Sequence, residues 1–250
     1  MHDTDVNWGR WQEFFAARSD RALPTLDDPH DYSDVPQSVA RSLAIFQLGE
    51  SGGGTIVEQA LTSHLPGAGP GYAGAMRLFV EEEHRHAAIL AICVRNLGGS
   101  PIRRNWTAGL FVFGRRLLGL RLKVLVLLVA EVVGICYYHL LATRLPPSRV
   151  RSLLAQIVDD ERSHLHFHCS FLRAESCRPW RRLVFKAAWR LVMLAAAIVT
   201  IVDHRTALRD LGLPVDVVWR RWMAYSRMAE WLVTREKTAA TTLTHLGEFA

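Results

Sequence analysis

Cysteine is scarce in this chain of 250 residues, and proline and glycine are not enriched. The four cysteines form no CxxC pair and lie mostly in apolar stretches, as free buried thiols do in a reducing compartment. Ten Pro and 17 Gly exclude a fibrous or low-complexity chain. The amino terminus lacks the basic flank and apolar stretch of a secretory signal. We therefore expect a cytoplasmic protein, with attachment to the periphery of a membrane as a further option.

Runs of alternating Val, Thr and aromatic residues are also absent, which favours helices over strands. Half of the residues are apolar, enough for a sizeable core, and the net charge is +6. After a short leading helix near Trp8–Arg18, proline and glycine divide the chain into predicted helices at about 38–63, 70–97, 104–144, 147–174, 178–210 and 214–238. The short breaks predict an all-α bundle of antiparallel neighbours.

Two strings, EEEHRH at 81–86 and DDERSH at 159–164, contain the motif Glu-x-x-His. Residues three apart lie on one face of a helix, so such a pair can hold one metal ion. In the first string the apolar face contains Glu83 and His86, whereas Glu81 lies on the polar face between arginines. In the second string Glu161 and His164 share the apolar face. Buried pairs of this kind are costly without a cation, so the motifs indicate a metal site.

Two single glutamates, Glu50 and Glu131, each interrupt an otherwise apolar helix face. The order along four successive helices is then Glu, Glu-x-x-His, Glu, Glu-x-x-His. This is the ligand pattern of di-iron and di-manganese carboxylate bundles. Four carboxylates and two imidazoles form a hard, oxygen-rich set, so we predict two iron ions as the cofactor, with manganese as the alternative.

On these residues the sequence resembles the ferritin-like non-haem diiron carboxylate superfamily. That superfamily includes ribonucleotide reductase small subunits, bacterial multicomponent monooxygenases, acyl-carrier-protein desaturases, aldehyde-deformylating oxygenases and arylamine N-oxygenases. The resemblance covers about residues 38–174 and implies a ferritin-like four-helix bundle there. Residues 1–37 would form an N-terminal extension, and residues 175–250 would add two C-terminal helices packed on the bundle.

The resemblance also implies roles for individual residues. Glu50, Glu83 and His86 would serve one iron, and Glu131, Glu161 and His164 the other, with Glu83 and Glu161 bridging. Glu82 and Asp160, which precede the motif glutamates, match carboxylates that orient ligand histidines. Arg85 stands where several members have an arginine.

Five further residues lie near these positions. His168 shares the face of Glu161 and is a candidate third histidine ligand or proton relay; the alternative is a histidine that supports a ligand or packs in the core. Gly53 and Gly134 each follow a single glutamate by three residues. They either permit close helix packing or line a cavity for oxygen and substrate, to which Leu90 and Tyr138 would also contribute.

Two other segments carry information about partners. Residues 124–142 are apolar over nearly a membrane-spanning length, but Glu131 at their centre favours a buried bundle helix; residues 191–202 are too short to span. Arg178, Arg182, Lys186 and Arg190 form a basic stripe. It is either a solvated face or a docking site for an acidic carrier protein or an anionic membrane surface. No nucleic-acid motif accompanies it, so nucleic acid is not an expected partner.

Together these features predict an O2-dependent diiron oxygenase or oxidase that acts on a largely apolar small-molecule or acyl substrate and receives electrons from an external donor. A ferritin-type iron oxidation or storage protein and a membrane-associated diiron oxidase are the alternatives. A homodimer is compatible with this pattern.

Overall fold

The computed structural model describes residues 6–25, 31–52, 55–106, 109 and 119–235. Over these residues the fold is all-helical, as predicted, and contains no strand. The helices are α1 (Trp8–Ser19), α2 (Gln37–Glu50), α3 (Ile56–Thr62), α4 (Pro70–Asn96), α5 (Leu120–Arg144), α6 (Arg149–Glu175), α7 (Pro179–Asp210) and α8 (Val215–Thr234).

Local sequence signals set the ends of the long helices. Pro70 occupies the first turn of α4, and Gly98, with φ +73°, follows the end of that helix. Ser148 caps α6 by accepting a hydrogen bond from the Arg151 backbone N–H at 3.2 Å. The Pro146-Pro147 pair separates α5 from α6.

Two of the predicted helices differ from those of the structure. The predicted helix 38–63 is interrupted, because α2 ends at Glu50 and α3 begins at Ile56. Three consecutive glycines in the sequence, 52–54, lie in this interval, and each disfavours helix relative to alanine. The predicted helix 104–144 is interrupted at Gly119, which is the N-cap of α5, and Trp106 and Gly109 of the predicted range are also helical. Residues 107–108 and 110–118 of that prediction lie outside the described residues, as do 236–238 of the last one.

The four helices that carry the predicted ligands pack together around one core. α2 packs on α4, α4 on α6, and α6 along α5. The contact between α5 and α2 includes Phe46, which stacks on Tyr137 with ring centroids 4.7 Å apart. The two further helices, α7 and α8, pack on each other and on α5.

The N-terminal helix α1 covers α4 and α6 with an aromatic face. Trp8 lies against Tyr72 with ring centroids 4.8 Å apart, and Trp11 lies against Phe167 at 5.4 Å. Phe15 is buried between these helices. Aromatic pairs of this kind bury large apolar areas, so α1 is an integral part of the core.

Two helices within the described residues, α5 and α7, are long and apolar enough to cross a membrane by length and composition. The apolar segment of α5 is 83% buried by its neighbours, as expected for the core helix of a bundle. In α7 the apolar segment is longer than the one predicted at residues 191–202. Only 22% of this segment is buried.

The buried Trp189 joins α7 to α8. Its Nε1–H donates to the backbone oxygen of Ser226 at 3.2 Å and to the Ser226 hydroxyl at 3.1 Å. We expect Trp189→Ala to lower the free energy of unfolding by about 3–5 kcal/mol, because it leaves a cavity. Trp180→Ala, at an exposed position of the same helix, should change it by less than about 0.5 kcal/mol. Urea denaturation followed by circular dichroism measures both; equal effects would contradict this packing.

Candidate metal centre

Glu83 and His86 on α4 meet Glu161 and His164 on α6 in the interior of the bundle. All four are buried, and one potential ligand atom of each lies within 4.8 Å of the others. Nδ1 of His86 lies 3.1 Å from Oε1 of Glu161, and Nδ1 of His164 lies 2.9 Å from Oε1 of Glu83. Each imidazole therefore faces the carboxylate of the opposite motif. This buried Glu/His cluster is close enough to hold a metal ion.

The helical wheel selected the inward pair of the first motif. His86 is fully buried, whereas His84 is exposed. Glu81 is also exposed and accepts a hydrogen bond from Arg77 at 3.2 Å. Glu81 and Glu83 are only two positions apart, so the apolar periodicity of α4 is the signal that distinguishes the exposed glutamate from the buried one.

Glu131 and Glu50 lie beside this cluster on the two remaining helices. Oε2 of the buried Glu131 is 3.9 Å from Nδ1 of His164. Glu50 is half-buried at the last residue of α2, and its Oε1 accepts a hydrogen bond from the Tyr138 hydroxyl at 2.8 Å. The fold thus brings all six predicted ligands to one region, and their role as ligands stays a prediction.

The outer nitrogen of each motif histidine is held by a carboxylate from the opposite helix. Nε2 of His86 donates to Oδ2 of Asp160 at 3.3 Å, and Nε2 of His164 donates to Oε2 of Glu82 at 3.1 Å. A carboxylate at this position fixes the ring so that Nδ1 points inward, and it raises the basicity of that nitrogen. The resemblance implied orienting roles for these two carboxylates, and each lies within hydrogen-bond distance of one motif histidine.

Arginines from the N-terminal segment neutralise the orienting carboxylates. Arg18 on α1 donates to Oδ1 of Asp160 at 2.7 Å and lies 3.8 Å from Oε1 of Glu82. Arg21 donates to the same Asp160 oxygen at 2.9 Å, and the predicted Arg85 reaches the other one at 3.5 Å. The sequence reasoning missed Arg18 and Arg21. A signal for them was present in the sequence: Glu82 and Asp160 were expected to orient the inward-facing histidines, and Arg85 alone cannot balance two buried negative charges.

Opposite charges at close range perturb the site's proton affinities. Burial alone would lower the pKa of His86, but the charge of Glu161 and the hydrogen bond to Asp160 outweigh it and raise the pKa to about 9. The pKa of His164 is raised in the same way against burial, first by Glu161. Burial would raise the pKa of Asp160, yet His86 and the arginines hold it at about 2.

The single glutamates behave differently from the motif glutamates. Burial, reinforced by the charges of Glu83 and Glu161, raises the pKa of Glu50 well above its ordinary value. Burial and Glu161 likewise raise the pKa of Glu131. The pKa of Glu161 is lowered well below the ordinary value in spite of burial, because Glu131 and the two histidines stabilise its charge. The surroundings therefore favour the protonated form of Glu50 and Glu131 and the ionised form of Glu161.

Several inward-facing atoms of the cluster have no partner in hydrogen-bond geometry among the described residues, although they lie at ion-pair distance from one another. They include the buried Nδ1 of His86 and the Oε1 atoms of Glu83 and Glu161. Buried polar atoms are almost always paired, and each exception needs an explanation. Carboxylate oxygens and an imidazole nitrogen directed at one another fit the requirements of a bound metal cation. The residues present therefore fit a metal, whose identity the donor set alone does not establish.

His168 lies one turn beyond His164 and is fully buried. Its Nε2 is 3.2 Å from Oε1 of Glu131, and neither ring nitrogen has a hydrogen-bond partner among the described residues. Burial lowers its pKa to about 3, so the ring is neutral, which is the form that binds metals. Both the ligand interpretation and the supporting one remain open for this residue.

The predicted cavity residues are only partly described. A Cβ on Gly134 would lie 3.3 Å from Cε2 of Tyr138. This glycine therefore leaves space for the Tyr138 ring, whose hydroxyl donates a hydrogen bond to Glu50. Leu90 is fully buried in the core. Gly53 lies outside the described residues. The cavity and the close helix packing both stay predictions, because the near neighbour of Gly134 is Tyr138 of the same helix.

A comparison with models of known protein families finds no match, and a search of curated proteins finds no significant relative. The resemblance to diiron proteins therefore rests on the ligand pattern and on the geometry of the site.

Metal binding should release protons from this centre. Glu50, Glu131, His86 and His164 all have raised pKa values, so each holds its proton to a higher pH than usual, and a metal ion must displace the protons that they carry. We expect the affinity for divalent metal to rise with pH until the pKa of His86, about 9, is passed. Titration calorimetry in two buffers of different ionisation enthalpy measures the released protons. Equal heats in both buffers would contradict the assignment.

The orienting carboxylate of His164 offers a matched pair of variants. Glu82→Ala removes the acceptor of the His164 Nε2 hydrogen bond and should weaken metal binding by roughly 10- to 100-fold. Glu81→Ala changes the neighbouring exposed glutamate and should leave the affinity unchanged. Competition with a chelating dye measures both affinities, and an equal loss in the two variants would show that Glu82 has no specific role.

Proposed function

We propose that the protein is a non-haem diiron enzyme that uses O2 to oxidise a largely apolar organic substrate. The observation that supports this proposal is the crossed arrangement of the two Glu-x-x-His motifs. Each histidine faces the opposite motif's glutamate with Nδ1 and is held through Nε2 by the opposite helix's acid. Two further carboxylates, Glu50 and Glu131, complete a set of four carboxylates and two imidazoles.

The residues suggest a division of roles between the two ions. Glu83 and Glu161 lie between the two imidazoles, which suits carboxylates shared by both ions. Glu50 and Glu131 come from helices on either side and would each serve a single ion. Hard carboxylate oxygens with imidazole suit iron or manganese, and iron is the choice for oxygen chemistry. When bound, two ferrous ions would supply electrons for the reduction of O2.

The protein side chains would manage protons and exclude water. The Tyr138 hydroxyl holds its proton toward Oε1 of Glu50, beside the centre. Insertion of one oxygen atom into a C–H bond forms an alcohol and one water, and it consumes two electrons and two protons beyond the substrate. The electrons come from an external donor in this proposal. Burial of the histidines and of Glu161 keeps bulk water from the reacting atoms.

The surroundings of the histidines favour an apolar substrate. The Phe79 ring lies 4.8 Å from the ring of His164 and 4.7 Å from that of His168, measured between centroids. The Phe15 ring lies 5.9 Å from His164 on another side. Aromatic walls bind alkyl or aryl groups and offer few partners to a polar metabolite.

Metal stoichiometry is the first test of the proposal. Protein loaded anaerobically with ferrous iron should retain two irons per chain, and Glu161→Ala should lose both if the carboxylate is shared. His86→Ala should impair loading, whereas His84→Ala, at an exposed position of the same helix, should not. Elemental analysis after desalting measures all four proteins. Full retention of one iron in Glu161→Ala would contradict the shared role.

Oxygen consumption separates the enzyme from the storage alternative. The reduced diiron protein should consume O2 repeatedly when a reductant and an alkyl or aryl substrate are present, and an oxidised product should accumulate. A ferritin-type protein would instead oxidise and retain many irons per chain without an organic product. An oxygen electrode with mass spectrometry of the products distinguishes the two outcomes.

A further inference from the structure

The outer face of α7 presents a continuous row of exposed apolar side chains. They are each between 46% and 70% exposed and comprise Trp180, Val184, Leu191, Leu194, Ile198 and Val202. At about 1.5 Å per residue the row from Trp180 to Val202 is about 33 Å long. Between Leu191 and Val202 the only polar side chain is that of Thr200. Scattered exposed apolar residues are ordinary, but a contiguous apolar strip marks an interaction surface.

The opposite face of α7 has partners already. Phe185, Trp189, Met193 and Ala197 are buried, and the helix packs on α8, α5 and α2. The exposed outer row is therefore distinct from the face through which α7 packs on the bundle. It is a second apolar face, on a helix that the bundle holds in position.

Positive charge accompanies this row. Helix α7 contains six Lys and Arg residues and two Asp residues. Arg181 lies beside the start of the row, and Arg205 and Arg209 lie on the same side of the helix toward its end. Arg190 is paired with Glu230 at 2.8 Å and Arg209 with Asp210 at 3.2 Å, and Lys186 lies toward the bundle. The uncharged segment lies between Arg181 at one end and Arg205 and Arg209 at the other. An apolar strip with basic ends matches a surface that has an apolar interior and anionic headgroups.

We propose that the outer face of α7 docks the protein on an anionic lipid membrane, with the helix lying in the plane of the interface. The apolar row would enter the boundary between headgroups and acyl chains, and the basic side chains would contact lipid phosphates. Trp180 at one end is suited to the headgroup region, where aromatic rings with a polar N–H are favoured.

Lying on the membrane fits the structure better than crossing it. Helix α7 is packed along α8, which contains Arg220, Arg221 and Arg227. A spanning α7 would draw these charges toward the hydrocarbon core at high cost. Pairing with a second copy through α7 is also disfavoured, since it would bring two faces with the same excess of positive charge together.

Vesicle flotation of the full-length protein tests the proposal. The protein should float with vesicles of phosphatidylcholine and phosphatidylglycerol, and binding to pure phosphatidylcholine should be at least about tenfold weaker. Leu191→Glu combined with Ile198→Glu places two acids in the exposed row and should reduce flotation about tenfold or more. Leu61→Glu changes a leucine that is 58% exposed on α3 and should float as the unaltered protein does.

A second measurement locates the contact. Lipids brominated in their acyl chains should quench part of the tryptophan fluorescence, and Trp180→Phe should remove that part. Quenching that is unchanged in Trp180→Phe would overturn the placement of this face in the lipid.

Other results would overturn the proposal as a whole. The first is that the unaltered protein does not float with vesicles. The second is that it forms a dimer in light scattering, that the double glutamate variant is monomeric, and that neither binds vesicles. The third is that the protein stays in the membrane after alkaline carbonate extraction. The docking surface does not depend on the proposed diiron function. Circular dichroism and metal content of the double variant should equal those of the unaltered protein, so the two proposals can fail separately.

Discussion

Two hydrogen bonds between α4 and α6 are the constraint on which the centre depends. The acid that precedes each motif glutamate binds the histidine of the other helix, Glu82 to His164 and Asp160 to His86. These bonds fix the rotation of both helices about their axes, because a helix turned by one residue would direct the acids away from the histidines. The same rotation places Glu83 and Glu161 at the centre. The same two hydrogen bonds therefore determine both the packing of α4 against α6 and the direction of the candidate ligands.

Burial of so many ionisable groups is tolerable only because their charges compensate. Arg18 and Arg21 reach Asp160 from the N-terminal segment, which the aromatic contacts of α1 hold against α4 and α6. A buried carboxylate without such a partner would cost several kcal/mol. The N-terminal segment therefore contributes electrostatically to a centre whose candidate ligands all lie on other helices.

Sequence periodicity predicted the inward residues well and long-range partners poorly. The apolar face of α4 distinguished Glu83 and His86 from Glu81 and His84, because the choice depended only on neighbours within one helix. Arg18 is 142 residues from Asp160, and no local pattern connects them. For α7 the sequence offered a membrane surface as one of several partners and marked residues 191–202 as apolar. It could not show that this apolar face is exposed, because only the packed fold shows whether other helices cover it.

The break after Glu50 distinguishes this residue from the other three central carboxylates. Glu83, Glu131 and Glu161 lie within long helices, where neighbouring turns restrict the backbone and side chain. Glu50 is the last residue of α2, and Ser51 and Gly52 follow it outside the helix. No further turn of α2 follows its backbone, so a change of its side-chain rotamer would meet no later turn of that helix. Of the four central carboxylates, Glu50 is the one at a helix end, and the hydrogen bond from Tyr138 holds it in its position.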